Sequence, residues 1–124
     1  MTIKTIGFVA HDEKKPELVS WVEKNQNQLK DLSILSTGTT GTLIQEKCPQ
    51  LNVTRLKSGP LGGDQQLGAA ICEARLDAMV FFIDPLSPHP HDVDVKALLR
   101  LAILYNVPFA CNVASADALK SLLT

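Results

Sequence analysis

Four stretches of this chain carry residues whose types and spacing could do chemistry. Thr37-Gly38-Thr39-Thr40-Gly41 sets three hydroxyls between and beside two glycines. Glycine lets the main chain approach an anion closely, hydroxyls donate hydrogen bonds, and the N-terminus of a following helix favours negative charge. That suits a phosphate, whereas a tight turn with a threonine cap needs neither the second glycine nor three hydroxyls. No Lys-Ser or Lys-Thr ends the string, so it is not a P-loop. Ser58-Gly59-Pro60-Leu61-Gly62-Gly63-Asp64-Gln65-Gln66 places three glycines and a proline ahead of an aspartate. Asp64 alone reads equally as a helix N-cap, but a cap does not explain the elaborate loop before it. The 84–94 stretch combines Asp84, Asp92 and Asp94 with His89, His91 and three prolines. His and Asp are plausible metal ligands, yet no recurring ligand spacing such as H-E-x-x-H occurs. Asp94 also fits a helix cap, and one of the two histidines reads as structural. Finally, His11-Asp12 is followed by Lys14 and Lys15. A lysine at a helix start opposes the helix dipole, and a bound anion would compensate; Lys14 reads as merely solvated.

These residues need elements to hold them together. Apolar, β-rich runs occur at 5–10, 33–36, 51–53 (weakly), 79–83 and 107–111. Between them lie residues at helical spacing: Leu18, Trp21, Val22 and Leu29; a short Leu43-Ile44 segment; Leu67, Ala70, Ile71 and Ala74; Val95, Leu98, Leu99, Ala102 and Ile103; and Ala118, Leu119, Leu122 and Leu123. Strict alternation predicts an α/β fold: a single doubly wound domain over residues 1–124, with a five-stranded parallel sheet of flavodoxin-like type and helices on both faces. The order of the strands is not readable. In open parallel sheets, ligands bind beyond the carboxyl ends of the strands. The polar stretches follow the strands one by one, and Asn112 follows the fifth, so all should converge on one edge.

Composition narrows the class. At 124 residues and 45% apolar, the chain can build a core without disulfides or a structural metal. Twelve basic and thirteen acidic side chains leave a net charge of -1, no footprint for nucleic acid or an anionic membrane surface. Cys48, Cys72 and Cys111 are scattered and form no C-x-x-C pair, as expected of reduced thiols in a cytoplasmic protein. Neither a signal peptide at Met1-Thr2-Ile3-Lys4 nor a membrane-spanning run is visible. The partners expected are a small molecule or further copies of the chain.

Ala10-His11-Asp12, Thr37-Gly38-Thr39-Thr40-Gly41, the Ser58–Gln66 string, Phe81-Phe82-Ile83-Asp84-Pro85-Leu86 and 90–100 occur in the order and spacing of the methylglyoxal synthase family, which the chain resembles from about residue 6 to Asn112. The resemblance implies a cofactor-free and metal-free lyase of the methylglyoxal-forming glycolytic bypass, converting dihydroxyacetone phosphate to methylglyoxal and inorganic phosphate. It implies Asp64 as catalytic base and His91 as the group polarising the carbonyl. Asp12 and Asp94 are implied as further catalytic carboxylates, with His11 and Asp84 in the active site. Lys15, Thr37, Gly38, Thr39, Thr40, Ser58 and Gly59 are implied as the phosphate-binding set. It also implies a homohexamer inhibited by phosphate. The chain departs from the family at 47–52, in Asp92-Val93-Asp94 where Asp-Pro-Asp is frequent, and in ending at Thr124.

The expected mechanism is proton abstraction beside a carbonyl followed by elimination, with donors around the enediolate oxygens supplied by His91 and neighbours such as Asn112. Holding the phosphate ester bond perpendicular to the enediolate plane would select elimination over isomerisation. The rivals are a metal-dependent phosphohydrolase using His11, Asp12, His91 and Asp94, a regulatory ligand-binding module, and a receiver domain. The last carries a lysine where this chain has Asn112.

Overall fold

The computed structural model describes residues 2–87 and 92–123. Strands β1 (Thr5–Ala10), β2 (Ser33–Thr37), β3 (Asn52–Leu56), β4 (Ala78–Phe82) and β5 (Phe109–Ala110) alternate with helices α1 (Lys15–Lys24), α2 (Gln26–Leu29), α3 (Gly38–Lys47), α4 (Gly63–Cys72), α5 (Asp92–Leu104) and α6 (Val113–Leu119). The strands form one sheet in the order β3-β2-β1-β4-β5, and all four pairings are parallel. This is the five-stranded parallel α/β architecture expected. Its order runs 3-2-1-4-5, where flavodoxin itself runs 2-1-3-4-5. The chain reverses its direction of travel across the sheet between β1 and β4.

Side chains alternate across the pleat and so build two cores. Ile6, Phe8 and Ala10 of β1, with Ala78, Val80 and Phe82 of β4, pack with Leu18 and Val22 of α1, Ile44 of α3 and Ala116 of α6. Val9, Met79 and Phe81 face the opposite way, onto Leu67, Ala70 and Ile71 of α4 and Leu98 and Ala102 of α5. Phe8 and Phe81 are at most 1% exposed. A buried phenylalanine contributes about 1.5–3 kcal/mol, so both helical layers are obligatory.

Boundaries depart from the sequence reading where an apolar signal is weak. At the sheet edge, β3 runs to Leu56 although Asn52, Thr54 and Arg55 are exposed; its ladder to β2 carries it (Ser33 opposite Asn52 through Thr37 opposite Leu56). Helix α3 spans ten residues, not a short segment, despite two glycines and three threonines in its first five. The first helical run divides at Asn25, whose side-chain amide donates to the Trp21 carbonyl at 2.7 Å.

The loop from β3 to α4 owes its shape to close approaches. After a 3-10 turn at Gly59–Leu61, Gly62 takes φ +110° and caps α4. A Cβ on Gly63 would lie 2.0 Å from the Lys57 carbonyl oxygen, and one on Gly38 would lie 2.8 Å from the Ser58 Cα. Backbone cannot yield as a flexible side chain can. Gly63→Ala is therefore expected to destabilise the chain by about 3 kcal/mol or more. Gly59→Ala, whose Cβ would meet nothing nearer than Asp64 Oδ1 at 3.5 Å, is expected to cost under about 1 kcal/mol. Urea unfolding of the two variants decides; equal costs would refute the packing argument.

Candidate active site

The crevice sits where the sheet reverses, beyond the carboxyl ends of β1 and β4, as the rule for open parallel sheets requires. Its floor is held by the two strand ends. The His11 N–H donates to the Phe82 carbonyl at 3.1 Å, and the Asp84 N–H donates to His11 Nδ1 at 2.9 Å. A main-chain N–H can only donate, so Nδ1 carries a lone pair and any ring proton of the neutral imidazole sits on Nε2. The ring also stands edge-on to Phe81, with centroids 5.3 Å apart at 75°. Asp84 is buried, and its Oδ1 accepts from the Leu86 N–H at 3.1 Å, which shapes the loop leaving β4.

A cavity of about 590 Å³ opens above this floor. One wall is the start of α3. Thr37 occupies the N-cap position, but its side chain makes no capping hydrogen bond. The first-turn N–H groups of a helix lack intrahelical partners by geometry, and Thr39 and Thr40 line the cavity there. Thr40 Oγ1 is buried without a hydrogen-bond partner, in a residue 1% exposed. Leaving a buried hydroxyl unsatisfied costs about 1–3 kcal/mol, and a tetrahedral oxyanion bound there would recover it. Lys15, a cavity residue, brings positive charge and pairs with Asp12, whose side chain is exposed.

The facing wall carries Ser58, Gly59, Pro60 and Asp64. Gly62 holds the N-cap position of α4, so Asp64 lies inside the first turn and is not its cap. It is 7% exposed, with its carboxylate against Gly59. The cavity thus juxtaposes an anion cradle with a buried carboxylate.

Of the candidates named from sequence, Asp64, Asp12, His11, Lys15, Thr37, Thr39, Thr40, Ser58, Gly59 and Asp84 all line this one cavity. Gly38 does not; it lies behind the wall, packed on Ser58. Asp94 is also off the wall. It lies within α5, two residues past the helix start, and its Oδ1 accepts from Gln65 Nε2 at 2.9 Å, while the next residue, Val95, lines the cavity. His91 and His89 lie outside the described residues. Asn112 is not brought to the site: its Oδ1 accepts from the Ser115 N–H and caps α6, beside a separate crevice with Lys14 and Cys111. Glu13, Ser87, Phe81 and Val95 line the cavity without having been singled out. The last two signal only core, and Ser87 sits in the loop already noted for its carboxylates and prolines. Among the described residues no three His, Cys, Asp or Glu side chains group as metal ligands. Burial pushes the Cys111 thiol up, and that of Cys48 too, where Glu23 adds to the effect. No cysteine lines the cavity.

Comparison with known proteins identifies the family. Residues 17–111 match the model of the MGS-like domain. Methylglyoxal synthase of Oleidesulfovibrio alaskensis is 57% identical over 116 residues, covering 94% of this chain and 79% of that protein. The chain belongs to the methylglyoxal synthase family. Within this family, methylglyoxal synthase of Pseudoalteromonas atlantica is 58% identical, over 94% of this chain and 85% of its own length. The crystal structure of methylglyoxal synthase from Elizabethkingia anophelis NUHP1 superposes with a TM-score of 0.89 at 50% identity, covering 96% of this chain and 78% of that one.

Thr40→Val keeps the shape and removes only the unpartnered hydroxyl. The ligand-free chain is expected to keep or gain stability by up to about 1 kcal/mol, while affinity for inorganic phosphate falls about tenfold. Thermal unfolding and phosphate titration check this. A destabilised variant with unchanged phosphate affinity would contradict it.

Proposed function

We propose that the chain converts dihydroxyacetone phosphate to methylglyoxal and inorganic phosphate, by a single domain over residues 1–124. The observation that carries the reading is the buried Asp64 carboxylate sharing one cavity with the unpartnered Thr40 hydroxyl in the first turn of α3. Membership of the methylglyoxal synthase family favours this lyase over a phosphohydrolase, a regulatory module or a receiver domain.

Thr37, Thr39, Thr40, Ser58, Gly59 and Lys15 hold the phosphate, and Gly38 allows α3 to start close against Ser58. Asp64 takes a proton from the hydroxymethyl carbon. The electrons of the broken C–H bond form a carbon–carbon double bond, and the carbonyl oxygen gains negative charge. His91 and the Nε2 side of His11 donate hydrogen bonds to the enediolate oxygens, stabilising the charge where it develops. Asp84 holds His11 in that orientation through its main-chain N–H. With the ester bond held across the enediolate plane, the electrons flow back to expel phosphate. The enol left behind takes up a proton at its methylene carbon as its oxygen gives one up, and so becomes methylglyoxal. Asp12, paired with Lys15, moves protons between the oxygens, and Asp94, next in the chain to the cavity-lining Val95, completes the acidic set. Atoms balance without water, a metal or an electron carrier. Released phosphate competes for the same cradle, which makes it an inhibitor.

The reading extends to a cytoplasmic homohexamer serving a glycolytic bypass. Leu61, Leu86 and Val93, 73%, 92% and 78% exposed, sit next in the chain to the segments bearing Gly59, Asp84 and Asp94, and support assembly around the site. Among the described residues no helix is long and apolar enough to cross a membrane.

With dihydroxyacetone phosphate and excess chelator, methylglyoxal and phosphate are expected in equal amounts. Asp64→Asn is expected to lower kcat about 10²–10⁴-fold in a folded protein. Phosphate alone, abolished by chelator, would replace the lyase with a phosphohydrolase. Binding without turnover would leave a regulatory module.

A further inference from the structure

Two polar side chains of the Ser58–Gln66 string have no part in the chemistry above. Gln65 and Gln66 follow Asp64 in the first turns of α4, and consecutive helical positions are about 100° apart. Their amides therefore reach in different directions. Gln65 Nε2 donates to Asp94 Oδ1 at 2.9 Å, across to α5. Gln66 Oε1 accepts from the Lys57 N–H at 2.8 Å, back toward the end of β3.

We propose that Gln65 and Gln66 are positioning residues with separate tasks: Gln66 sets the anion-binding wall, and Gln65 sets the α5 wall that faces the base. The inference rests on the lyase reading and adds these residues to it.

Lys57 lies one residue beyond β3, where the sheet ladder stops. Its N–H is taken by Gln66, and its carbonyl accepts from the Gly38 N–H at 3.3 Å. Ser58 and Gly59 come next, and Gly38 opens α3. A shift of Lys57 thus moves both halves of the cradle. On the other side, Asp64 and Val95 line the cavity and are the chain neighbours of the bonded pair Gln65 and Asp94. Apolar packing of α4 on α5 begins beside this pair, with Leu67 and Val95, and continues through Ile71, Leu98 and Ala102. At the cavity end the amide–carboxylate bond adds a polar tie to that packing, between the chain neighbours of Asp64 and Val95. Its donor meets a charged acceptor, the stronger kind of hydrogen bond.

Gln65→Met and Gln66→Met keep length and remove the polar group. Each is expected to melt within about 4 °C of the wild type, because one exposed hydrogen bond is lost. For Gln65→Met, kcat falls about tenfold or more, since small misplacement of reacting groups is costly, while KM and inorganic phosphate affinity stay within about threefold. For Gln66→Met, phosphate affinity falls and KM rises, each about tenfold, with kcat within about threefold. Identical profiles for the two variants, or wild-type constants in both, would overturn the inference. If a methionine variant does not fold, Gln65→Lys, which keeps a donor, and Gln66→Glu, which keeps an acceptor, replace it; failure of these to fold would also overturn it. A wild-type chain that makes no methylglyoxal would sink the lyase reading itself, whereas an active wild type with an unaffected Gln65→Met sinks only this one.

Discussion

The site depends on one stretch of bare main chain. Lys57 and Ser58, just past the edge strand, are pressed from one side by Gly38 and from the other by Gly63, at distances no Cβ could occupy. Two helices thereby start at nearly the same place, each directing its first turn toward the same volume. Helix N-termini attract anions only within about a turn, so proximity of the two starts matters more than the charge of any side chain. A near-neutral composition is compatible with the proposed phosphate site for this reason. The field comes from backbone geometry as much as from lysine.

Topology provides the second requirement. Because the chain reverses between β1 and β4, their ends send the connecting segments to either side and leave a gap between them. His11 and Asp84 close the bottom of that gap through one hydrogen bond between side chain and main chain. The two apolar layers keep these strand ends fixed: Phe82 packs into one core while Phe81, its neighbour, packs into the other and meets the His11 ring.

Much of this was legible in the residues. The alternation of strand and helix, the two-faced apolar β4 and the convergence of polar loops follow from periodicity and from the parallel-sheet rule, and ten of the proposed residues share one cavity. Other parts were not legible, for physical reasons. An edge strand such as β3 needs little apolar surface, so Asn52, Thr54 and Arg55 conceal it. The helix at Gly38 forms against its own propensity because packing on Ser58 and the β2–β3 ladder fix its start. Asp64 resembles a cap in sequence; only the positive φ of Gly62 shows that the cap is two residues earlier. Asn112 follows a strand as the others do, yet capping α6 claims its side chain. The roles of Gln65 and Gln66 were hidden because partners 29 and 9 residues away cannot be read from a glutamine pair.

The pairing of β1 with β4 joins Ile6 to Ala78 and Ala10 to Phe82. More than half the chain must be closed into a loop before that ladder can form, and long loops are slow to close. The segments carrying the threonines, Ser58 and Asp64 all lie within that loop, while His11 and Asp84 sit at its two ends. Local pieces such as β2-α3-β3 gain their contacts earlier in folding, but the crevice has no floor until the ends meet. The crevice therefore waits on the β1–β4 ladder, and a chain interrupted during synthesis before residue 82 has the polar motifs without the floor that joins them.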